Sequence, residues 1–332
     1  MKKLKVGVIG LGFIGGLHAR IWAESDIAEL AAVADVNGEA ADSLAAQYSC
    51  KGYSDYHEML RDADLDAVDI CVPEDFHVAP AVAAAAAKKA ILLEKPIAKT
   101  AAEAEEIKKA AADNGVRLMI AHILKFDPRY VQLNEAIKSG RLGEISTLAL
   151  KRTNSQGTPK RLKGKVSFFY YMGIHDIEWM LDYNSGAKPV RVYCQASTVA
   201  LKGLDTDAAF LTVTFDNGSV GTIELNWAFP ENGVCGFMTA VEAVGTKAAA
   251  MLHVDNQGLL IADEASVELP DALHWPVYNG QLQGDLKEEL NHFARATLSG
   301  QDYLVDTDNA IAAVRIVEAA MESIKTGLPV TL

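Results

Sequence analysis

The run Val6-Gly7-Val8-Ile9-Gly10-Leu11-Gly12-Phe13-Ile14-Gly15 restricts what this chain can fold into more than any other stretch. An apolar, strand-like segment ends in glycines and passes directly into the helix-like Gly16-Leu17-His18-Ala19-Arg20-Ile21-Trp22. This is G-x-G-x-x-G with a strand before it and a helix after it, the setting in which the motif binds a dinucleotide. Gly10 permits the tight turn, Gly12 lets a pyrophosphate approach the backbone, and Gly15 lets the helix pack close to the strand. The free amides of the helix start then face the anion. Twenty residues beyond Gly15, a second apolar run, Leu30-Ala31-Ala32-Val33-Ala34, ends in Asp35. A carboxylate there accepts both hydrogen bonds of an adenosine ribose diol and repels a 2′-phosphate, so NAD is expected rather than NADP. The alternative is a glycine-rich turn in an α/β fold that has lost its cofactor.

Up to about residue 121, strand and helix patterns alternate. Strands are predicted at 4–9, 30–35, 67–71, 90–93 and 117–120, with helices at 15–24, 38–48, 56–62, 76–88 and 100–114. Such alternation means a parallel sheet with helices on both faces. Thr100-Ala101-Ala102-Glu103 is a capping box, and Asn114-Gly115 is a helix stop. From 122 on, helices at 128–139 and about 175–181 are joined by period-2 strands at about 145–152, 190–199, 208–215, 219–228, 239–244, 248–253 and 259–261. Asp216-Asn217-Gly218 is a hairpin turn. Two helices, 282–299 and 307–326, close the chain. The expected fold class is α/β: an N-terminal Rossmann doubly wound parallel sheet over 1–121, then a C-terminal α+β domain with a large, mostly antiparallel open sheet over 122–332. The second is expected to bind substrate and oligomerise, with its last helix packing back on the first.

Half of the 332 residues are hydrophobic and 23% are charged, which suits a globular protein with a sizeable core. The net charge of −13 argues against nucleic acid and against anionic membrane surfaces as partners. No apolar run is long enough to span a membrane, and the first strand begins at about Leu4 with no visible signal segment. Cys50, Cys71, Cys194 and Cys235 are scattered without C-x-x-C spacing and read as residues of a reducing cytoplasm. No metal site is expected: His57, His77, His122, His253, His274 and His292 lack ligand spacing with other donors.

Three stretches carry chemistry. Glu94-Lys95-Pro96 ends a buried strand, where open α/β sheets bind ligands; its bland reading is an ion pair and a strand-ending proline. Cys71-Val72-Pro73-Glu74-Asp75-Phe76-His77 ends another, and Pro73 turns the chain beside the cofactor. In Gly173-Ile174-His175-Asp176-Ile177-Glu178-Trp179, His175, Glu178 and Trp179 share a helical face, joined by Tyr171 if the helix starts early. A histidine there can take an alcohol proton near neutral pH; the plainer reading is a structural histidine.

Together these residues make the chain resemble the glucose–fructose oxidoreductase/inositol dehydrogenase family (Gfo/Idh/MocA) over nearly its whole length. The resemblance rests on Gly10-x-Gly12-x-x-Gly15, Asp35, Pro73-x-x-x-His77 and Glu94-Lys95-Pro96. It continues through Lys125-Phe126-Asp127-Pro128, Gly173-Ile174-His175-Asp176 and Glu289…Phe293. It implies an NAD(P)-dependent dehydrogenase acting on a CH–OH group of a sugar, polyol or derivative. Lys95 would contact the reacting oxygen and the nicotinamide ribose, and His175 would accept the proton. Gly10, Gly12, Phe13, Ile14, Gly15, Asp35, Val72, Pro73, His77, Glu94 and Lys95 would hold the cofactor. Inositol dehydrogenase-like members carry an aspartate where this chain has Tyr171, whose phenol can orient or relay but cannot hold an imidazolium as a carboxylate does.

Six basic residues and no acidic one fall between Lys151 and Lys165: Lys151, Arg152, Lys160, Arg161, Lys163 and Lys165. They are either a funnel for an anionic substrate or a solvated loop or subunit contact. Candidate substrate residues are His122, Lys125, Arg152, Arg161, Asp176 and His274. Two rivals to a plain dehydrogenase stand beside it: a sugar-modifying enzyme with bound, recycling NAD, and a non-catalytic sugar- and NAD-binding regulator. The exposed face of a large sheet needs covering, so a homodimer or homotetramer is expected.

Overall fold

The computed structural model describes residues 2–162, 166–201, 206–231, 237–254, 259, 261–262, 267–268 and 270–332. Two compact units account for it: residues 1–126 with 273–311, and 127–272 with 312–332.

In the first unit, strands β1 (Leu4–Ile9), β2 (Ala28–Ala34), β3 (Lys51–Tyr53), β4 (Ala67–Ile70), β5 (Ala90–Glu94) and β6 (Leu118–Ala121) form one parallel sheet. Its order is β3-β2-β1-β4-β5-β6, the doubly wound order in which ligands bind outside the carboxyl ends of the strands. The strands are buried on both faces: β4 and the centre of β5 have no exposed residue, as a sheet sandwiched between helices requires. The crossover helices are α1 (Phe13–Ala23), α2 (Gly38–Tyr48), α3 (Tyr56–Asp62), α4 (Val78–Ala86) and α5 (Ala101–Asn114). Side chains set their starts. Asn37 caps α2, Asp55 caps α3, and Thr100 and Glu103 form a reciprocal capping box on α5. β3 has no counterpart in the sequence pattern; Lys51-Gly52-Tyr53 is too short to show a period.

The second unit begins with α6 (Pro128–Lys138), capped by Asp127 with Pro128 in the first turn. It contains β7 (Ile145–Ser155), α7 (Gly157–Leu162), α8 (Ile174–Tyr183), β8 (Pro189–Ser197), β9 (Ala208–Phe215), β10 (Val220–Phe229), β11 (Met238–Gly245) and β12 (Ala249–Val254). The sheet order is β12-β11-β7-β10-β9-β8, with Val330–Thr331 pairing antiparallel on β8. Only β7 and β10 run parallel among these pairs; the others are antiparallel. Burial alternates along the strands. Leu148, Leu150, Leu211, Val213, Ile223, Leu225, Val241 and Ala243 face the core, while Phe210, Thr222, Glu242 and Val244 are exposed on the other side. A one-sided sheet is the expected open sheet. The short helix α7 covers the middle of the basic run, for which a solvated loop is one of the alternatives read from the sequence. The predicted strand at 259–261 lies partly outside the described residues; Ile261–Ala262 pair with Val267–Glu268.

Chain closure is by α9 (Asp285–Ser299) and α10 (Thr307–Thr326). Within the first unit, α9 meets α1, with Phe293 edge-on to Trp22 at 6.4 Å. Cys50, Cys71 and Cys194 are free thiols; Cys235 lies outside the described residues.

Candidate active site

The glycine loop is shaped by what cannot fit there. Gly10 has φ +89°, which an L side chain rarely adopts, and a Cβ at position 15 would sit 1.9 Å from the Gly10 carbonyl oxygen. At Gly12 a Cβ would meet nothing within 4 Å: the backbone faces open space. No side chain caps the start of α1, so its first amides point into that space, the arrangement that receives a pyrophosphate. Asp35 closes the loop from β2. Its Oδ2 accepts the Leu11 N–H at 2.7 Å and its Oδ1 accepts the Asn37 N–H at 2.8 Å. A carboxylate has about four acceptor positions, so lone pairs remain for a ribose diol. Loop and carboxylate together fit an adenine dinucleotide. Phe13 is exposed at the helix start, edge-on to Trp275 at 5.9 Å.

Two histidines grip the strand ends beside the loop. His77 is buried, with Nδ1 2.8 Å from the Pro96 carbonyl oxygen and Nε2 2.9 Å from the Val72 carbonyl oxygen. It ties the turn after β4, which contains Pro73, to the turn after β5, which contains Lys95. Its imidazole is therefore spent on backbone rather than presented to a ligand. Burial lowers its pKa, against the pull of those carbonyls.

His18, on α1, is a member of the site that the motifs do not mark. It is fully buried, with Nδ1 2.9 Å from Asp69 Oδ2 and Nε2 3.5 Å from Glu94 Oε1. Asp69 also accepts from Trp22 Nε1 at 2.7 Å and from the Cys71 thiol at 3.4 Å. Burial opposes a charge on His18, but the charge and hydrogen bond of Asp69, with Glu94, outweigh it and raise its pKa. Burial also raises the Glu94 carboxyl, against His18 and Lys95. Glu94 Oε2 accepts the Lys95 N–H at 3.0 Å. From α9, Glu289 faces this group. Burial, then the charges of Glu94, Asp285 and Asp69, push its carboxyl well above the usual range. A sequence signal for His18 and Asp69 does exist: an aspartate inside the apolar strand Ala67-Val68-Asp69-Ile70 must meet a donor, and a histidine on the buried face of α1 can supply one. His18, Asp69 and Cys71 have ligand atoms within 4.8 Å of one another. They are already bonded to each other, and burial raises the Cys71 thiol well above its ordinary value, so the thiolate a metal needs is disfavoured.

His122 is buried at the end of β6, with Lys125 in the turn that follows. Burial, then the charges of Lys125 and Lys95, push the His122 imidazole down to about 3. His274 places Nδ1 2.8 Å from Asp285 Oδ2, beside Trp275.

In the second unit, Phe169–Gly173 forms a π-helical turn that runs into α8. Such turns recur at functional sites, and this one carries Tyr171 four residues before His175. Both are partly exposed, while Glu178 and Trp179 are buried, with Trp179 stacked on Tyr130 at 5.5 Å and on Tyr183 at 4.9 Å. Asp176 is bound to Arg152 in a two-pronged pair, Nε–Oδ2 2.6 Å and Nη2–Oδ1 3.1 Å. Both are buried. Burial opposes the charge on Arg152, but the charge of Asp176 outweighs it and keeps the guanidinium protonated. These two substrate candidates satisfy each other and pin the start of α8 to β7. In the basic run, Lys151 faces Glu224 at 3.0 Å and Lys160 faces Glu231 at 2.6 Å. Arg161 is exposed near the end of α7; Lys163 and Lys165 lie outside the described residues.

A 3-2-1-4-5-6 parallel sheet with this glycine turn defines a dinucleotide-binding protein of the Rossmann class, here joined to an α+β domain. Comparison with known proteins makes the class specific. The family model described as oxidoreductase family, NAD-binding Rossmann fold, matches residues 4–122, and the GFO/IDH/MocA C-terminal domain matches residues 130–251. The chain belongs to the Gfo/Idh/MocA oxidoreductase family. It is 28% identical to the oxidoreductase YrbE of Bacillus subtilis, over 100% of this chain and 97% of that one. It is 26% identical to myo-inositol 2-dehydrogenase of Thermotoga maritima, over 97% and 96%. Inositol 2-dehydrogenase of Rhizobium meliloti is 27% identical over 97% of each chain. The crystal structure of scyllo-inositol dehydrogenase from Lactobacillus casei, with NAD(H) and scyllo-inositol bound, shares the fold. Its TM-score is 0.85 at 20% identity, over 99% of each chain. Among the described residues no helix is long and apolar enough to cross a membrane.

Proposed function

We propose that this protein is an NAD-dependent dehydrogenase that oxidises a secondary hydroxyl of a neutral polyol or sugar. The observation that carries the reading is the strand end at Glu94-Lys95: a half-buried lysine at the carboxyl edge of β5, its backbone held by Glu94. It lies in the sheet that bears the glycine loop. Inositol dehydrogenases among the relatives support a polyol substrate.

The residues divide the work. Gly10, Gly12, Phe13, Ile14 and Gly15 receive the pyrophosphate, and Asp35 receives the adenosine ribose. When bound, NAD supplies a hydride acceptor. Lys95 stabilises the substrate oxygen as negative charge develops on it. His175 takes the hydroxyl proton on its imidazole, and Tyr171 donates a hydrogen bond to a substrate oxygen. Polyols are preferred over sugar acids because three of the four described cations of the basic run already face carboxylates of the chain: Lys151, Arg152 and Lys160. The open sheet face is assigned to self-association as a dimer or tetramer.

The test is turnover of an inositol and sugar panel with NAD by the wild type, Lys95→Ala and His175→Ala. Loss of turnover in both variants with NAD binding retained is expected. Retained turnover in either removes that residue from the scheme.

A further inference from the structure

Three ionisable side chains, two of them fully buried, are arranged in series beneath Lys95. Asp69 in β4 holds His18 Nδ1 at 2.9 Å. The opposite edge of the ring, Nε2, stands 3.5 Å from Glu94 Oε1, an ion-pair distance without a hydrogen bond. The other Glu94 oxygen accepts the Lys95 N–H at 3.0 Å. We propose that His18 is a positioning residue for Lys95: anchored by Asp69, it holds the Glu94 carboxylate, which in turn fixes the backbone that carries the Lys95 amine. The inference rests on the assignment of Lys95 to the reacting oxygen.

Two physical arguments favour a working role over core packing. A buried ion pair is costly, and well-packed apolar side chains in its place are often as stable or more so. Stability alone does not call for a histidine on the buried face of α1. The geometry is also directional. Asp69 already accepts hydrogen bonds from Trp22 and the Cys71 thiol, so its carboxylate is fixed without His18. The charged and titratable groups that act on Glu94 are His18, Lys95 and Asp69, with Glu289 facing it from α9. His18 Nε2 lies 3.5 Å from Oε1, and the Lys95 charge also acts on this carboxylate. Glu289 has both oxygens buried without a hydrogen-bond partner, and burial with the nearby carboxylates pushes its carboxyl well above the ordinary range. Asp69 and Cys71 face His18 from β4 and its end, and Glu94 from β5.

The two ring nitrogens can be separated by substitution. In His18→Asn the introduced amide overlays Nδ1 and reaches Asp69 only, whereas in His18→Gln it overlays Nε2 and reaches Glu94. Amide exchange at Lys95, read by NMR on the full chain, reports the tether directly and needs no substrate. His18→Asn is expected to accelerate it on the order of tenfold, with His18→Gln close to wild type and core amides such as Leu92 unchanged in both. Glu94→Ala, at the partly exposed strand end, should give the same acceleration without touching the core. With NAD and myo-inositol, kcat should fall roughly 10- to 100-fold in His18→Asn and recover in His18→Gln, at unchanged NAD affinity. Unchanged Lys95 exchange in both His18→Asn and Glu94→Ala overturns the proposal. So does faster exchange with kcat intact, or Asn and Gln variants that behave alike. Lys95→Ala serves as the control: if it keeps turnover, the assignment of Lys95 fails, whatever the His18 variants do.

Discussion

Asp35 Oδ2 accepts the Leu11 backbone N–H across 2.7 Å, so one carboxylate both shapes the glycine turn and faces the place where an adenosine ribose would sit. The second oxygen is held by Asn37. Neither oxygen can move aside for a 2′-phosphate without giving up a hydrogen bond. NAD is therefore expected to bind more tightly than NADP by calorimetry. Asp35→Ser should narrow the gap, and it should also weaken NAD, because the Leu11 tether goes with it. Equal affinity for the two cofactors in the wild type would refute this.

Lys95→Ala should lower kcat far more than it changes NAD affinity. Replacing His175 with Ala should cost on the order of 10²–10⁴ in rate, the usual worth of a general base. Steady-state kinetics with NAD titrations on each variant separate the two effects. A rise in KM at unchanged kcat would mean that the residue binds substrate uniformly and does no chemistry.

Arg152 and Asp176 form a buried, two-pronged pair. Asp176→Asn leaves a buried guanidinium without its counter-charge, which costs roughly 3–5 kcal/mol. In a domain of this size that is a fall in Tm of roughly 6 °C or more. The exposed pair Lys160–Glu231 is of the other kind, and Lys160→Gln should shift stability by about 1 kcal/mol at most. Thermal melts of the two variants side by side check the contrast; equal shifts would contradict it.

His122 gives the fold an acid-sensitive point. Its imidazole, pushed down to about 3 first by burial and then by Lys125 and Lys95, titrates once unfolded as an ordinary histidine does (~6.5). The unfolded chain therefore binds the extra proton between these values. The stability this group contributes is present above about pH 6.5 and is lost as pH falls toward 3. His18 has the opposite sign: its raised pKa contributes stability below its unfolded value that is lost as pH rises through the folded one. His122→Gln should flatten the decline of Tm between about pH 6 and pH 4. Parallel curves for wild type and variant would show that His122 is not the group responsible.

The parallel sheet is legible in the sequence because its strands are continuous apolar runs ended by glycine, aspartate or proline. The cap at Thr100 and the turn at Asn217-Gly218 mark element ends by local chemistry that tertiary contacts do not override. Lys51–Tyr53 and Val330–Thr331 are not legible, since two- and three-residue strands exist only through the neighbour they pair with. Gly157–Leu162 looks like part of a charged loop, because six residues hold less than two helical turns and show no apolar stripe. At the site, Gly10, Asp35 and Lys95 lie at strand ends that the pattern itself locates. His77 and Asp176 are visible by type but not by role. Carbonyls of Val72 and Pro96 occupy one and Arg152 the other, and which partner a polar side chain meets is decided by packing. The Asp69–His18–Glu94 series joins residues far apart in the chain, although the lone aspartate within an apolar strand announces that a buried donor exists.

Whether Lys95 and His175 oxidise a polyol is tested most directly by mixing the purified protein with NAD and a panel of inositols and neutral sugars, following NADH absorbance and polyol consumption together. At least one polyol should be oxidised with NADH released in molar excess over enzyme, and sugar acids should be poorer substrates. Polyol consumption without free NADH would instead identify a recycling cofactor. NAD binding with no polyol changed at all would contradict the assignment of Lys95 and His175 to catalysis.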